Sequence, residues 1–274
     1  FQGTNAPSRL EGVQCLTNLR CLTLAGCVVC APPLGKGERH WSDCLLPLKA
    51  TLEYLDLSGN FRVTDPVLRS VGQLCNLEHL DLMSSYACVA TKNGVAQLGG
   101  LWSKLKVLKL RVGDVDIGNM GWGALFSLEH FALSCRDLRT AAGLQYLSPL
   151  LRILDLSGCS QLEDVTVIQY LLSLRTLILS GCGHLKYLDG LQNLPSLQDL
   201  AVDECRELLS IDYLQHSASL KSITCTGCVK LGSIGALPSS IEYLDLTGSG
   251  ISDGGLTGLK GAEKLRVLKL NRCQ

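Results

Sequence analysis

Apolar and polar positions along this chain follow one template. A block of the form Leu-x-x-Leu-x-Leu-x-x-Cys begins at Leu105, Leu128, Leu151, Leu174, Leu197 and Leu220, five consecutive steps of 23 residues. Looser copies begin at Leu19, Leu52 and Leu77 before them, and at Ile241 and Leu265 after them. Within a block the x-Leu-x-Leu alternation is the two-residue period of a short strand. After Cys159 the apolar period becomes three, through Leu162, Val165, Ile168 and Leu171, and runs on into Leu174. Leu185, Leu188, Leu191 and Leu194 repeat that arm, as do Leu208, Ile211 and Leu214, and then Leu231, Ile234 and Leu237. A period of three aligns side chains on one edge of a 3₁₀-like segment, not on the broader stripe of an α-helix.

A fixed period in the twenties marks repeats that bury their apolar sides only by stacking on their neighbours. The pattern predicts an α/β solenoid of about 11 repeats. Each repeat is one strand and one returning arm, with the leucines inward. Parallel strands at about 4.8 Å spacing form a sheet roughly 50 Å long. Strands pack more closely than arms, so the solenoid is expected to be a horseshoe with its sheet on the concave face and short 3₁₀, helical or irregular arms on the convex one. The 33-residue step from Leu19 to Leu52, with Pro32, Pro33, Gly35, Gly37 and Trp41, reads as an inserted loop. The 28-residue step from Leu77 to Leu105 carries a second insertion, and Gly113 to Gly123 is glycine-rich. Phe1-Gln2-Gly3 matches the remnant of a protease recognition tag and is set aside; residues 4–274 are expected to form a single domain. The chain stops one residue after Cys273, before a returning arm or polar cap, which suggests a piece of a longer protein.

Composition narrows the function classes. Twenty-five basic residues balance 25 acidic ones. That balance argues against broad electrostatic attraction to nucleic acid or an anionic membrane. No apolar run approaches the ~18 residues of a membrane span. No secretory signal opens the sequence. No cofactor and no small-molecule substrate is expected.

Fourteen cysteines invite disulfide, metal and catalytic readings. Cys27, Cys159, Cys182, Cys205, Cys228 and Cys273 share one repeat position, filled elsewhere by Asn60, Ser85 and Ser249. That position lies at the turn after the strand, where a small side chain can meet backbone groups of the adjacent repeat. A thiol behaves there as a small buried hydrophobe and weak donor. Cys225 replaces a strand leucine and is expected to be buried. Unpaired, repeat-placed thiols favour a reducing, intracellular and cytoplasmic setting. Cys30, His40 and Cys44 have the residue types of a zinc site, but the nine-residue gap before His40 matches no familiar knuckle and Cys27 already has a repeat role. None of the five histidines has a nucleophile motif around it.

Strand residues that do not point inward should line the concave face as the candidate partner-binding surface. Early repeats offer Tyr54, Asp56, His79, Asp81 and Met83; the next offer Lys109, Arg111 and His130. A quieter middle includes Ile153, Asp155, Thr176 and Ile178, where small residues admit a partner's backbone or helix. Later repeats add Asp199, Asp203, Glu204, Tyr243 and Asp245, then Lys269, Asn271 and Arg272. Asp56 with Asp81 is expected to make one acidic patch, and Asp199, Asp203 and Glu204 another, with a basic step at Lys109 and Arg111 between them. The bland alternative for any single member is an ordinary solvated strand residue.

The blocks LRILDLSGC, LRTLILSGC and LRVLKLNRC resemble leucine-rich repeats, in the form with cysteine at the position often held by asparagine. The resemblance runs from about Leu16 to Cys273. The segment IEYLDLTGSGISDGGLTGL, Ile241 to Leu259, resembles repeats of trypanosomatid leucine-rich repeat proteins. The cysteine position is also similar to that of F-box ubiquitin-ligase adaptors, and the LSGC blocks and LPSSIEYL to plant immune-receptor repeats. All three resemblances imply protein recognition along the concave face. Two functions follow as expectations: a non-enzymatic scaffold that holds a protein partner, or the substrate-recognition arm of a larger enzyme assembly such as a ubiquitin ligase.

Overall fold

The computed structural model describes residues 11–27, 41–60, 63–83, 91–113 and 120–273. Eleven short strands are present: β1 (Cys21–Thr23), β2 (Tyr54–Asp56), β3 (His79–Leu82), β4 (Val107–Val112), β5 (His130–Cys135), β6 (Ile153–Asp155), β7 (Thr176–Ile178), β8 (Asp199–Ala201), β9 (Ser222–Thr224), β10 (Tyr243–Asp245) and β11 (Val267–Lys269). Every one begins two residues after a block-opening leucine or isoleucine, as the alternation predicts.

The chain divides into two compact units. The first holds the described residues of Phe1–Val115 and Gly123–Phe131; the second holds those of Asp116–Trp122 and Ala132–Gln274. In the first, β1 to β4 pair in parallel and in chain order. In the second, β6 to β11 do the same. One backbone device recurs in both. The carbonyl at the second block position accepts two amides from the following rung: Arg152 O takes Arg175 N at 2.8 Å and Thr176 N at 3.0 Å. Arg175, Gln198, Lys221 and Glu242 each do the same for the next rung, and so do Arg20, Glu53, Glu78 and Lys106 in the first unit. These bonds fix the register, so block position alone decides which face each side chain takes.

The inward face is a continuous aliphatic stack. Leu154, Leu177, Leu200, Ile223 and Leu244 are buried, as are the arm residues Leu162, Ile168, Leu185, Leu191 and Leu208. Leu268 holds the same strand position in β11, the outermost strand described, and is 38% exposed because no rung packs over it. The arms of the second unit are 3₁₀ turns at Leu144–Tyr146, Thr166–Tyr170, Leu191–Asn193 and Asp212–His216, in agreement with the three-residue period. The first unit has longer steps, and these leave room for α1 (Asp65–Val71) and α2 (Lys92–Ala96). Thr91 caps α2 by accepting from Gly94 N, which supplies one of the orphan amides a helix start leaves open. The first part of the expected loop after Cys27 lies outside the described residues; its end, Trp41–Leu48, is a 3₁₀ helix.

The cysteine position joins successive repeats. Cys159 Sγ donates to Leu133 O at 3.3 Å, Cys182 to Leu156 O at 3.4 Å and Cys205 to Leu179 O at 3.2 Å. Cys228 reaches Val202 O at 3.0 Å and Cys273 reaches Leu246 O at 3.1 Å. Asn60 shows why asparagine fits the same position. Its Nδ2 donates to Leu24 O of the preceding repeat at 2.9 Å and to Leu57 O at 2.8 Å. Most of these strand-end carbonyls already accept a turn amide, as Leu156 O does from Cys159 N and Leu179 O from Cys182 N, so each side chain adds a second donor from the next repeat, a net gain of about 0.5–1.5 kcal/mol. No described cysteine forms a disulfide. Burial pushes the Cys159 and Cys205 thiols up to about 12, and the hydrogen bond to Cys228, with burial second, raises Cys225.

Cys205→Ala is therefore expected to lower stability by about 1–3 kcal/mol through the lost bond and the small void, read as a lower urea midpoint. A thiol titration with Ellman's reagent gives the complementary measurement. The exposed Cys15, Cys21 and Cys75 should react in the native protein, while the ladder thiols should react only after denaturant is added.

Candidate functional site on the strand face

With the leucines inside, alternate strand residues form columns on the solvent face of each unit. In the first unit, Cys21, Tyr54, His79 and Val107 are in register, and beside them Thr23, Asp56, Asp81 and Lys109. The Tyr54 and His79 rings stack at 4.1 Å between centroids and 21° between planes. His79 Nε2 is buried beneath this stack with no hydrogen-bond partner among the described residues. Burial, seconded by the Lys109 ammonium, holds the imidazole below its ordinary range. Met83, Arg111 and His130 are half-buried.

In the second unit the first column is Ile153, Thr176, Asp199, Ser222, Tyr243 and Val267. The second is Asp155, Ile178, Ala201, Thr224, Asp245 and Lys269. From β7 to β9 this surface is small apart from Ile178: Thr176, Ala201, Ser222 and Thr224 stand low, with Asp199 exposed among them. At β10 it rises to Tyr243. The Tyr243 hydroxyl reaches Asp245 at 3.2 Å, and Lys269 bridges the same carboxylate at 3.2 Å while its ammonium lies 5.2 Å from the Tyr243 ring centre. Burial alone would raise the Asp245 carboxyl. The Thr247 hydroxyl and amide and the Lys269 ammonium outweigh it and hold the group below the usual carboxylate range.

The expected separation into acidic and basic patches is replaced by pairing. Asp81 does not join Asp56 in an open acidic patch, because Lys109 on the next strand closes an ion pair with it at 3.0 Å. The same contact removes Lys109 from a basic step with Arg111. The aspartates of the Leu-Asp-Leu blocks also have a local task. Asp56, Asp81, Asp155 and Asp245 each accept the amide two residues on, from Ser58, Met83, Ser157 and Thr247 at 2.8 to 3.0 Å, which is the geometry of an Asx turn. Asp203 is held by the Thr226 amide and hydroxyl at 2.8 and 2.7 Å and by the Thr224 hydroxyl at 2.8 Å. Glu204 pairs with Arg206 at 3.1 Å. Of the second expected acidic patch, Asp199 alone stands exposed without such a partner. The anchoring threonines were missing from the expected site, although 203 plus one step of 23 is 226.

Glu204 and Arg272 have left-handed backbones, with φ of 56° and 58°. They occupy the block position where Gly26, Gly59, Gly158, Gly181, Gly227 and Gly248 take positive φ. The turn needs that conformation, and a side chain there costs about 1–2 kcal/mol relative to glycine.

Among the described residues no group of three or more His, Cys, Asp or Glu could hold a metal ion. Of Cys30, His40 and Cys44, only Cys44 lies within the described residues, where it is half-buried. No helix among the described residues is long and apolar enough to cross a membrane.

A typical rung thus combines a strand of three to six residues, an Asx or glycine turn, a cysteine or asparagine bonded to a carbonyl of the repeat before, and a 3₁₀ or helical arm. The fold is a leucine-rich repeat solenoid. A family model described as a leucine-rich repeat matches residues 238–260. The functional domain of InlJ from Listeria monocytogenes, described as including a cysteine ladder, is similar over 96% of this chain and 55% of its own, with 20% identity and a TM-score of 0.51. The chain therefore spans about half the length of that relative. The internalin InlF from the same organism is similar over 96% of this chain and 83% of its own, with 19% identity and a TM-score of 0.50. At these identities the likeness is one of fold. No curated protein sequence matches the chain. Leucine-rich repeat proteins generally serve as protein-interaction scaffolds, and none of these matches indicates a catalytic family.

Two measurements check this geometry. An NMR titration should place the His79 apparent pKa below the ordinary ~6.5, and Lys109→Met should raise it. Because the folded value is depressed, the unfolded chain binds the extra proton first, and stability should climb as pH rises toward ~6.5. An unshifted His79 would contradict the buried stack. Glu204→Gly should raise the melting temperature by relieving about 1 kcal/mol of left-handed strain, since the exposed Arg206 pair that it forfeits is worth little.

Proposed function

We propose that this chain is a non-enzymatic recognition scaffold that holds a protein partner on the solvent face of its strands. The observation that carries this reading is the low, small-residue floor of β7 to β9 beside the raised Tyr243. Thr176, Ala201, Ser222 and Thr224 admit a close approach. Exposed Asp199 supplies a charge, and Tyr243 supplies an aromatic edge whose orientation Asp245 and Lys269 fix. Aromatic anchors beside small, rigid surfaces are where binding energy concentrates in protein interfaces. Register bonds hold these side chains at set spacings, so little ordering entropy is lost on binding.

The proposed setting is intracellular, which the unpaired thiols favour. Kinship with trypanosomatid repeat proteins, as against F-box adaptors or plant receptors, rests on the Ile241 to Leu259 segment and is part of this proposal. The same face would serve the substrate-recognition arm of a ubiquitin ligase, and flanking sequence carrying an F-box or RING-like segment would favour that variant.

Affinity capture from the source cell, comparing the wild-type chain with Asp199→Arg combined with Tyr243→Ala, tests the reading. Both positions lie on the solvent face, so the variant should keep its melting temperature within a few degrees. Partners captured by the wild type and lost from the folded variant are the expected result. Partners retained by both would place recognition elsewhere on the molecule.

A further inference from the structure

The second block position, where each strand begins, forms its own row of side chains along the edge of the sheet. Its register is fixed by the paired amides that each of its carbonyls accepts. In the first unit Arg20 pairs with Glu53 at 3.4 Å and Lys106 with Glu78 at 2.7 Å. Near the far end of the second unit Arg266 pairs with Glu242 at 3.6 Å. Between them Lys221 has no ion pair among the described residues, and two adjacent arginines are left without one as well. Arg152 and Arg175 are stacked on adjacent rungs by the Arg175 N to Arg152 O bond of 2.8 Å, and both are exposed. Neither makes an ion pair with any described residue, exposed Asp199 included. Like charges on neighbouring strands cost stability, so this pair works against the fold.

The turns that feed these two strands are also unlike the later ones. Leu150 and Leu172, just ahead of Leu151 and Leu174, are each more than half exposed. The residue directly before the block is Leu150 in one turn and Ser173 in the next, where Leu172 lies one residue earlier; at the later turns that position is Ser219 and Ser240, which donate to carbonyls of the repeat before. The 3₁₀ turns behind the leucines end in Tyr146 and Tyr170, again each more than half exposed. One and two steps of 23 beyond Tyr170 the position holds the polar Asn193 and His216, while Tyr146 lies one residue out of that register, its equivalent being Gln169. Two consecutive repeats therefore present tyrosine, leucine and unpaired arginine together, and the following repeats present none of the three there. Tyrosine and arginine are the side chains most enriched at binding hot spots, and unpaired arginine forks fit carboxylates.

We propose that Tyr146, Leu150, Arg152, Tyr170, Leu172 and Arg175 form a second docking surface, for an acidic amphipathic helix of a partner protein. The helix is favoured by spacing. The two arginines rise from rungs about 4.8 Å apart. Carboxylates one helical turn apart lie about 5–6 Å from each other, whereas alternate residues of an extended strand lie about 7 Å apart. Leucines of the same helical face would cover Leu150 and Leu172. Leu150 and Leu172 offer nucleobases little, whereas Tyr146 and Tyr170 could stack on them, so oligothymidylate serves as the competing ligand in the test. The inference rests on the chain being a protein-recognition scaffold, but uses an edge distinct from the floor around Asp199 and Tyr243.

Fluorescence anisotropy with a labelled amphipathic peptide carrying glutamates at i and i+4 beside leucines tests it. The wild-type chain should bind this probe saturably, more weakly at high salt, and should ignore the same peptide with lysines in place of glutamates. Arg152→Glu combined with Arg175→Glu should weaken binding by about tenfold or more at an unchanged melting temperature. Leu150→Ser combined with Leu172→Ser should weaken it with the salt dependence retained. Equal binding by the arginine variant, equal binding of the lysine peptide, displacement of the probe by oligothymidylate, or no saturable binding would each overturn the proposal. The Asp199→Arg, Tyr243→Ala variant keeps the two readings apart. It should bind this probe normally, whichever way the capture experiment falls.

Discussion

No repeat of this chain can bury its own leucines, and that constraint governs everything else. A three-residue strand and a single 3₁₀ turn enclose no core; the apolar edge of each closes only against the next rung. The structure answers with the same few contacts throughout: two amides on one carbonyl, a leucine over a leucine, and a thiol or amide nitrogen on the strand-end oxygen of the repeat before. Stability in such a stack is close to a sum over neighbours. The side chains facing solvent are free of that duty and can vary from rung to rung.

That freedom has been used unevenly. Over much of the strand face, charge is settled internally, by lysines reaching back to the aspartate of the preceding strand and by threonines closing on Asp203. Surface settled in this way gains rigidity and loses attraction for a partner. Among the described residues the departures include the low floor around Asp199 and the adjacent arginines at the strand entries of two repeats. Local conflict with an otherwise consistent pattern is where functional or strained sites are to be expected.

How much of this could be read before the structure follows from the range of each interaction. All eleven strand starts were legible, because alternation and a fixed step are local properties of the chain. So was the cysteine position, since one repeat suffices to show where the turn falls. The state of the charges was not. Asp81 and Lys109 are 28 residues apart, across an irregular step, and their meeting depends on a register that the insertion obscures. The α-helices in the first unit were hidden for the same reason: their length comes from the extra residues of the long steps, which break the three-residue period that announced the arms elsewhere. Where the step is regular, as between Asp203 and Thr226, the contact was available to simple addition.

A ladder with one kind of rung also has a mechanical character. Among the described residues β11 pairs with β10, and few other contacts join the two. A load applied beyond it would have to break only the few backbone bonds, the Cys273 thiol contact and the ion pairs that join this rung to β10 before reaching the next. The second unit would then yield as a zip and not as a block, one strand and one arm at a time. Between whole rungs its extension would advance in nearly equal increments, because successive repeats there differ little in length.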